Sequence, residues 1–356
     1  MKKVGDYIMK EKIGAGAFGE VHTATKKFDQ KLYAIKMLNK DTISPKIKSY
    51  LTREISILKK INNEHVVRLH DAKMSEHNFY LIFEYCNGGD LKEYRRLRGG
   101  RLNEKSVRRI IRQIVIGLTS IYSLGGIHRD IKLSNILLHY PTYASRKNNE
   151  PTIKICDFGF ARILDCEAPL EMSIVGTPLN MSPEIIQHFP YDTSSDIWSL
   201  GVMTYELFFG IAPFNAPNKE KLVELLLNGE YKLQKHIRVS TEAIDFITSC
   251  IQFEPKNRIK WEELINHPFI SGNTAIPFAF YKLKEENKEG LNEDKNYYTM
   301  NSKVKYKFER LYYAEIVKVE EEHSNKDEFK LVDINGEYLR IDKCLDNKML
   351  SEYVMI

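Results

Sequence analysis

A glycine string with strand-like sequence on both sides constrains this chain more than any other feature. Gly14-Ala15-Gly16-Ala17-Phe18-Gly19-Glu20-Val21 fits the pattern G-x-G-x-x-G-x-V. The same glycines open dinucleotide-binding turns, but such a turn needs a helix directly after the last glycine. Here residues 7–12, 20–25 and 32–38 all carry strand-like patterns. The string therefore reads as the tip of a β-hairpin, where glycine lets a backbone come unusually close to another group.

Beyond residue 38 the period changes. Ser44 is a plausible N-cap with Pro45 at the first helical position. Ile47, Leu51, Ile55 and Leu58 then recur at helical spacing through Lys60. Residues 66–72 and 79–85 read as strands. After Asn87-Gly88-Gly89 the pattern turns helical, with Ile110, Ile114, Leu118 and Ile121 marking one buried face. A β-rich small lobe (1–86) followed by a helical large lobe (87–270) is the expected α+β, bilobal architecture. Residues 139–152 read as a polar surface loop with Pro141 and Pro151, and 284–303 as a charged linker. Asn335-Gly336, between two strand-like runs at 329–334 and 337–341, is a strong hairpin signal. The extension 271–356 is thus expected to be partly β and partly linker.

Five further motifs follow in order. Ala34-Ile35-Lys36 lies on a strand after the glycines, and Glu54 on the expected helix is a candidate partner for Lys36. His128-Arg129-Asp130-Ile131-Lys132-Leu133-Ser134-Asn135 is the most specific of the set. Asp157-Phe158-Gly159 comes next, then Gly176-Thr177-Pro178 with Ser182-Pro183-Glu184, and Asp196-Ile197-Trp198-Ser199-Leu200-Gly201. In this order and spacing, residues 7–270 resemble the eukaryotic protein kinases.

The resemblance implies the chemistry of phosphoryl transfer, in which positioning and charge neutralisation do most of the work. Asp130 would orient a substrate hydroxyl and accept its proton. Lys132 and Lys36 would neutralise phosphate charge, with Glu54 holding Lys36. Asn135 and Asp157 would hold Mg2+ between them and ATP. Ile13, Gly14, Ala15, Gly16 and Gly19 would cover the nucleotide. Val21, Ala34 and Leu137 would sandwich the adenine, the backbones of Glu84 and Cys86 would meet its edge, Phe83 would close the pocket behind, and Asp90 would approach the ribose. Leu58, Leu69, His128 and Phe158 would stack as a spine. Glu184 would pair with Arg258, and Asp196 would anchor the catalytic loop. Arg129 would clamp a phosphate on the activation segment, with Ser173 as the phosphosite.

Lys132 and Thr177 resemble the serine/threonine form of their motifs, and Phe160 after the DFG glycine implies serine over threonine as acceptor. Ser134 replaces one of the two carboxylates that arginine-directed kinases use, so no strong basic requirement is expected. Residues 81–91, 157–162 and the insert before Lys154 resemble the ULK (uncoordinated-like) kinases that initiate autophagy. Polo, aurora and calcium-regulated kinases share the core motifs, and a scaffold built on a kinase fold is the alternative from another class.

Composition excludes little but helps. Five cysteines without a CxxC pair argue for a reducing, intracellular setting, so a cytoplasmic location is expected. There is no apolar signal segment at the N-terminus and no run long enough to span a membrane. A net charge of +5 is too small to imply nucleic acid as a partner. The charge is uneven: residues 92–112 carry nine basic and two acidic side chains. That stretch reads chiefly as a solvated helical face, and alternatively as a dock for an acidic partner or anionic lipid. Cys156, next to Asp157, is either a nucleotide-facing thiol or a small buried apolar group.

Overall fold

A computed structural model describes residues 2–16, 19–29, 31–42, 51, 55–157, 180–187, 192–216, 218–228, 231–234 and 236–272, with the strand backbones at 315–318, 329–332 and 338–339. The chain divides into two compact units, Met1–Glu285 and Glu286–Ile356.

The first unit opens with a six-stranded antiparallel sheet. Its strands are β1 (Lys3–Val4), β2 (Tyr7–Gly16), β3 (Gly19–Lys26), β4 (Leu32–Asn39), β5 (Leu69–Met74) and β6 (Asn78–Glu84), in the order β1-β2-β3-β4-β6-β5. Alternation along β4 decides what each face does. Tyr33 and Ile35 point to an outer cluster with Val4, Tyr7, Met9, Tyr80 and Ile82. Ala34 and Lys36 point the other way, and one rung of the sheet runs Gly14, Val21, Lys36, Leu81. β5 starts three residues later than its apolar run suggests. Val66 bridges to Ile155 and the Val67 N–H donates to the Ile155 carbonyl at 2.8 Å, so this backbone is spent on the helical lobe instead.

The helical lobe is built on α1 (Leu91–Arg96), α2 (Glu104–Ser123), α3 (Tyr143–Lys147), α4 (Pro183–Ile186), α5 (Thr193–Phe209), α6 (Lys219–Asn228), α7 (Thr241–Cys250), α8 (Trp261–Leu264) and α9 (Pro268–Ser271). Ile110, Ile114, Leu118 and Ile121 of α2 are all buried, as their spacing requires. α5 is apolar nearly all round and buried nearly all round, which marks it as the central helix. Asp192 caps its start, and Gly210 at φ 80° ends it in the left-handed conformation that glycine adopts without strain.

Two strands, β7 (Ile136–His139) and β8 (Thr152–Ile155), form an antiparallel ribbon beneath the sheet. The segment joining them is not the plain loop its composition suggests. Thr142 caps α3 by accepting from the Ser145 N–H at 3.1 Å, while the Thr142 N–H donates to Ser145 Oγ at 3.2 Å. Serine in place of the usual Glu or Gln hides this capping box in the sequence. Of the expected helix at 44–60, residues 44–50 and 52–54 lie outside the described residues, and 51 and 55–60 are helical.

The second unit holds β9 (Glu315–Lys318), β10 (Phe329–Val332) and β11 (Tyr338–Leu339) as an antiparallel sheet in the order β11-β10-β9. Leu331 pairs with Leu339 and Val332 with Tyr338, which places Asn335-Gly336 in the turn as expected. The linker expected at 284–303 lies outside the described residues.

Candidate active site

Asp130, Lys132 and Asn135 converge on the segment between α2 and β7. Lys132 Nζ lies 2.7 Å from Asp130 Oδ2. The Asn135 amide nitrogen donates to the same oxygen at 2.9 Å and to the Asp130 carbonyl at 2.8 Å. Both donors of that amide are thus committed to Asp130, and the side-chain carbonyl oxygen is the atom left for a cation. Asn135 is 5% exposed, so this orientation is held by packing as well as by hydrogen bonds.

Asp196 holds this segment from below. Its carboxylate accepts from the His128 N–H at 2.9 Å and the Arg129 N–H at 2.7 Å. Arg129 has φ 71°, a costly conformation for a residue with a Cβ, and these two bonds help to hold it there. A third donor was not anticipated from the sequence. The Tyr122 hydroxyl, from the end of α2, donates to Asp196 Oδ2 at 2.9 Å, with its ring edge-on to Trp261. Burial and the neighbouring Asp196 push the Tyr122 phenol well above its usual range, so it stays a donor. No motif marks Tyr122; the only sequence signal is its place six residues before His128.

His128 ties the loop to the strand leading to Asp157. Its Nε2 lies 3.0 Å from the Cys156 carbonyl and must donate, while Nδ1 accepts from the Asp130 N–H at 3.3 Å. The Cys156 N–H donates to the Asn135 carbonyl at 2.9 Å. Asp157 itself sits at φ 61°, a second strained backbone in the same site. Burial pushes its carboxyl up, but Lys36, chiefly, with Lys132 outweighs that and leaves it below the ordinary carboxylate value. Lys36 Nζ makes an ion pair with Asp157. The partner expected for Lys36, Glu54, lies outside the described residues, as do Phe158, Gly159, Phe160, Ser173 and Thr177.

These donors suit magnesium. Asn135 and Asp157 offer hard oxygen ligands, and among the described residues no group of three or more His, Cys, Asp or Glu could hold a metal unaided. An ion that takes one or two protein oxygens, and otherwise water and phosphate, matches that supply.

The residues expected on the nucleotide side lie chiefly on the glycine hairpin, on β4 and β6 and on β7. Ile13 is 49% exposed at the glycine hairpin, whose strands meet at Gly16 and Gly19; Ala17 and Phe18 lie outside the described residues. Gly14 and Ala15 pair with Val21 and Glu20 across the hairpin. Gly19 is needed for a reason the motif does not state: a Cβ there would lie 1.8 Å from the Met37 carbonyl oxygen of the next strand. Ala34 pairs with Phe83 across the sheet, and Leu137 lies on β7, bridged to Asp90. The Asp90 carboxylate caps α1, accepting from the Glu93 N–H at 2.8 Å.

Glu84 carries a side-chain role beyond the expected backbone one. Its Oε1 accepts from Lys154 Nζ at 2.8 Å and from the Arg68 N–H at 2.7 Å. Lys154 is 8% exposed and stands three residues before Asp157. One carboxylate thus joins the start of β5, the end of β6 and β8. Burial pushes the Cys86 thiol up to about 12 and the Cys156 thiol well above its usual range, so both behave as protonated, apolar groups.

Glu184 and Arg258 meet as a buried, two-armed pair at 2.7 and 2.8 Å. The basic stretch 92–112 is largely used internally. Arg95 binds Glu206, Arg96 binds Glu93, Arg98 stacks on Tyr94, Arg108 binds Glu104, Arg109 reaches Glu150, and Arg112 holds the carbonyls of Ile270 and Ser271.

Residues 7–270 match the model of the protein kinase domain. The chain is 35% identical over 277 residues to serine/threonine-protein kinase ATG1a of Arabidopsis thaliana, covering 77% of this chain and 43% of that protein. It is 34% identical over 281 residues to serine/threonine-protein kinase atg1 of Dictyostelium discoideum, covering 77% and 40%. It is 34% identical over 275 residues to serine/threonine-protein kinase ULK1 of Homo sapiens, covering 76% and 26%. The chain spans less than half the length of these three relatives. With a bilobal fold, a glycine hairpin and the cluster around Asp130 already in place, the match is not one of sequence alone: the chain belongs to the protein kinase family and resembles the ATG1 and ULK serine/threonine kinases.

Proposed function

We propose that residues 1–270 form an ATP- and magnesium-dependent kinase that phosphorylates protein serine in preference to threonine, with 271–356 as an extension. The observation that carries this reading is the convergence of Asp130, Lys132 and Asn135 within hydrogen-bond distance of one another. Asp130 would orient a hydroxyl and take its proton. Lys132, already beside that carboxylate, would meet negative charge on the group being transferred. Lys36 pairs directly with Asp157 here, and nucleotide phosphates would take over the lysine while the carboxylate turns to the metal. Magnesium held by Asn135 and Asp157 would supply charge neutralisation on the phosphates. Relatives of the ATG1 and ULK type support a role in starting autophagy, acting on protein substrates in the cytoplasm, and Ser134 in the catalytic segment supports a substrate preference without a strong basic requirement.

Incubating the chain with Mg-ATP and a degenerate peptide library with fixed serine or threonine acceptors tests the activity and the preference together. Serine peptides are expected to be labelled several-fold faster than threonine peptides. A dominant arginine three residues before the acceptor, or equal rates on both acceptors, would refute the finer reading. Restoring autophagy in cells that lack their own ULK-type kinase tests the cellular role. Failure of an active chain to do so would refute it.

A further inference from the structure

We propose that the insert between β7 and β8 is a strap that sets the nucleotide pocket from outside, with Asn149 as a positioning residue for ATP. This rests on the reading of residues 83–90 as the nucleotide-side segment. The chain leaving that segment is zipped to the end of β7 and on into the insert. The Gly88 N–H donates to the Leu138 carbonyl at 2.8 Å and the Leu138 N–H to the Gly89 carbonyl at 2.9 Å. Asn87 continues the zipper with its side chain, donating to the Tyr140 carbonyl at 3.0 Å and accepting from the Tyr140 N–H at 2.8 Å. Arg146 closes it, donating to the Asn87 carbonyl at 2.9 Å while lying over the Tyr140 ring.

The far end of the insert is fastened to the helical lobe chiefly at Asn149, with Glu150 adding an ion pair to Arg109 at 3.8 Å. Asn149 adopts φ 54°, which asparagine tolerates better than most side chains. Its side-chain oxygen accepts from Arg98 at 2.6 Å, from the Tyr140 hydroxyl at 3.2 Å and from the Tyr94 hydroxyl at 3.3 Å. Its main-chain carbonyl accepts from Arg109 at 2.9 Å. The insert therefore spans from α1 and α2 to the exit of the nucleotide segment. Its two ends continue directly into β7, which carries Leu137, and β8, which leads to Asp157. Releasing the pivot frees Tyr140, and with it Asn87 and the strand under the adenine.

The test compares Asn149→Gly with Asn149→Asp. Glycine keeps the backbone conformation and the carbonyl to Arg109 but removes the side-chain acceptor. Aspartate keeps the acceptor. The expected result is a rise of about five- to tenfold in KM for ATP in Asn149→Gly, with kcat within about twofold, and near wild-type values in Asn149→Asp. Affinity for the Mg2+ complex of a non-hydrolysable ATP analogue, measured by calorimetry, should fall by the same factor. Amide exchange at Gly88 and Leu138 should accelerate in the glycine variant alone. Unchanged analogue affinity despite faster exchange would overturn the strap. A wild-type chain that binds the analogue but transfers no phosphate would sink the kinase reading instead, and the affinity ratio between the variants would still judge the strap.

Discussion

Replacing Arg258 by methionine removes one half of the most thoroughly buried ion pair among the described residues. The Arg258 side chain is 0% exposed and that of Glu184 6%. The guanidinium bonds both oxygens of Glu184 and also the carbonyls of Ser194, Gln252 and Phe253. Methionine keeps the length but leaves a buried carboxylate with only the Ser195 hydroxyl, 2.6 Å away, as side-chain partner. Breaking such a pair costs about 3–5 kcal/mol. At roughly 2 °C per kcal/mol for a domain of this size, the midpoint of thermal unfolding should fall by about 6–10 °C. Replacing both Glu184 and Arg258 by methionine should recover part of that loss, since a buried pair exchanged for apolar groups is often near neutral. The pH dependence follows from the sign of the Glu184 shift. Burial pushes its carboxyl up, but Arg258 and Ser195 hold it below the ordinary glutamate value of 4.5. A depressed carboxylate contributes stability above its unfolded value and loses it as the pH falls through the folded one. The gap between wild type and Arg258→Met should thus be full at neutral pH and shrink below about 4.5. Scanning calorimetry across that range is the assay. A midpoint shift under about 2 °C at neutral pH would refute the reasoning, because it would mean that water or a local rearrangement satisfies Glu184.

Three further substitutions probe the site. Tyr122→Phe leaves Asp196 with its two backbone donors but without the hydroxyl, so kcat should fall about three- to tenfold with KM for ATP unchanged, as steady-state kinetics will show. Lys154→Met leaves Glu84 without its ammonium partner but with the Arg68 N–H, and should lower stability by about 1–3 kcal/mol in denaturant titrations while raising KM for ATP; unchanged values in both would remove the pair from the account. Gly88→Ala would place a Cβ 2.6 Å from the Leu138 carbonyl oxygen, and the resulting shift should cost about 1–3 kcal/mol by the same titration.

Much of the architecture is legible in the sequence because it rests on local periodicity. The alternation in residues 32–38 places Lys36 and Ala34 on one face, and the four isoleucine and leucine positions of α2 are buried as their spacing demands. The motifs around Asp130 are legible because they are contiguous, and residues five apart along a tight segment must lie close in space. What the sequence hides is long-range. Tyr122 reaches Asp196 across 74 residues, and Lys154 reaches Glu84 across 70. Nothing local distinguishes a buried lysine with a distant carboxylate from a surface one. The insert at 139–152 lies on the surface as its composition suggests, but its fastening is hidden for the same reason. Most of its residues face water, yet Tyr140, Arg146 and Asn149 are also tied to Asn87, Arg98 and Arg109. The basic stretch 92–112 shows the converse: its charge is conspicuous in sequence, yet most of its arginines are held by partners in the same lobe.

The central claim is that Asp130 acts on the acceptor hydroxyl while other residues hold the nucleotide. Asp130→Asn tests it most directly, since asparagine preserves size and can still bond Asn135. With Mg-ATP and a serine peptide, kcat should fall about 10²- to 10⁴-fold, the range for loss of a positioned acid–base group, while affinity for the ATP analogue stays within about twofold. Transfer by Asp130→Asn at the wild-type rate would contradict the account.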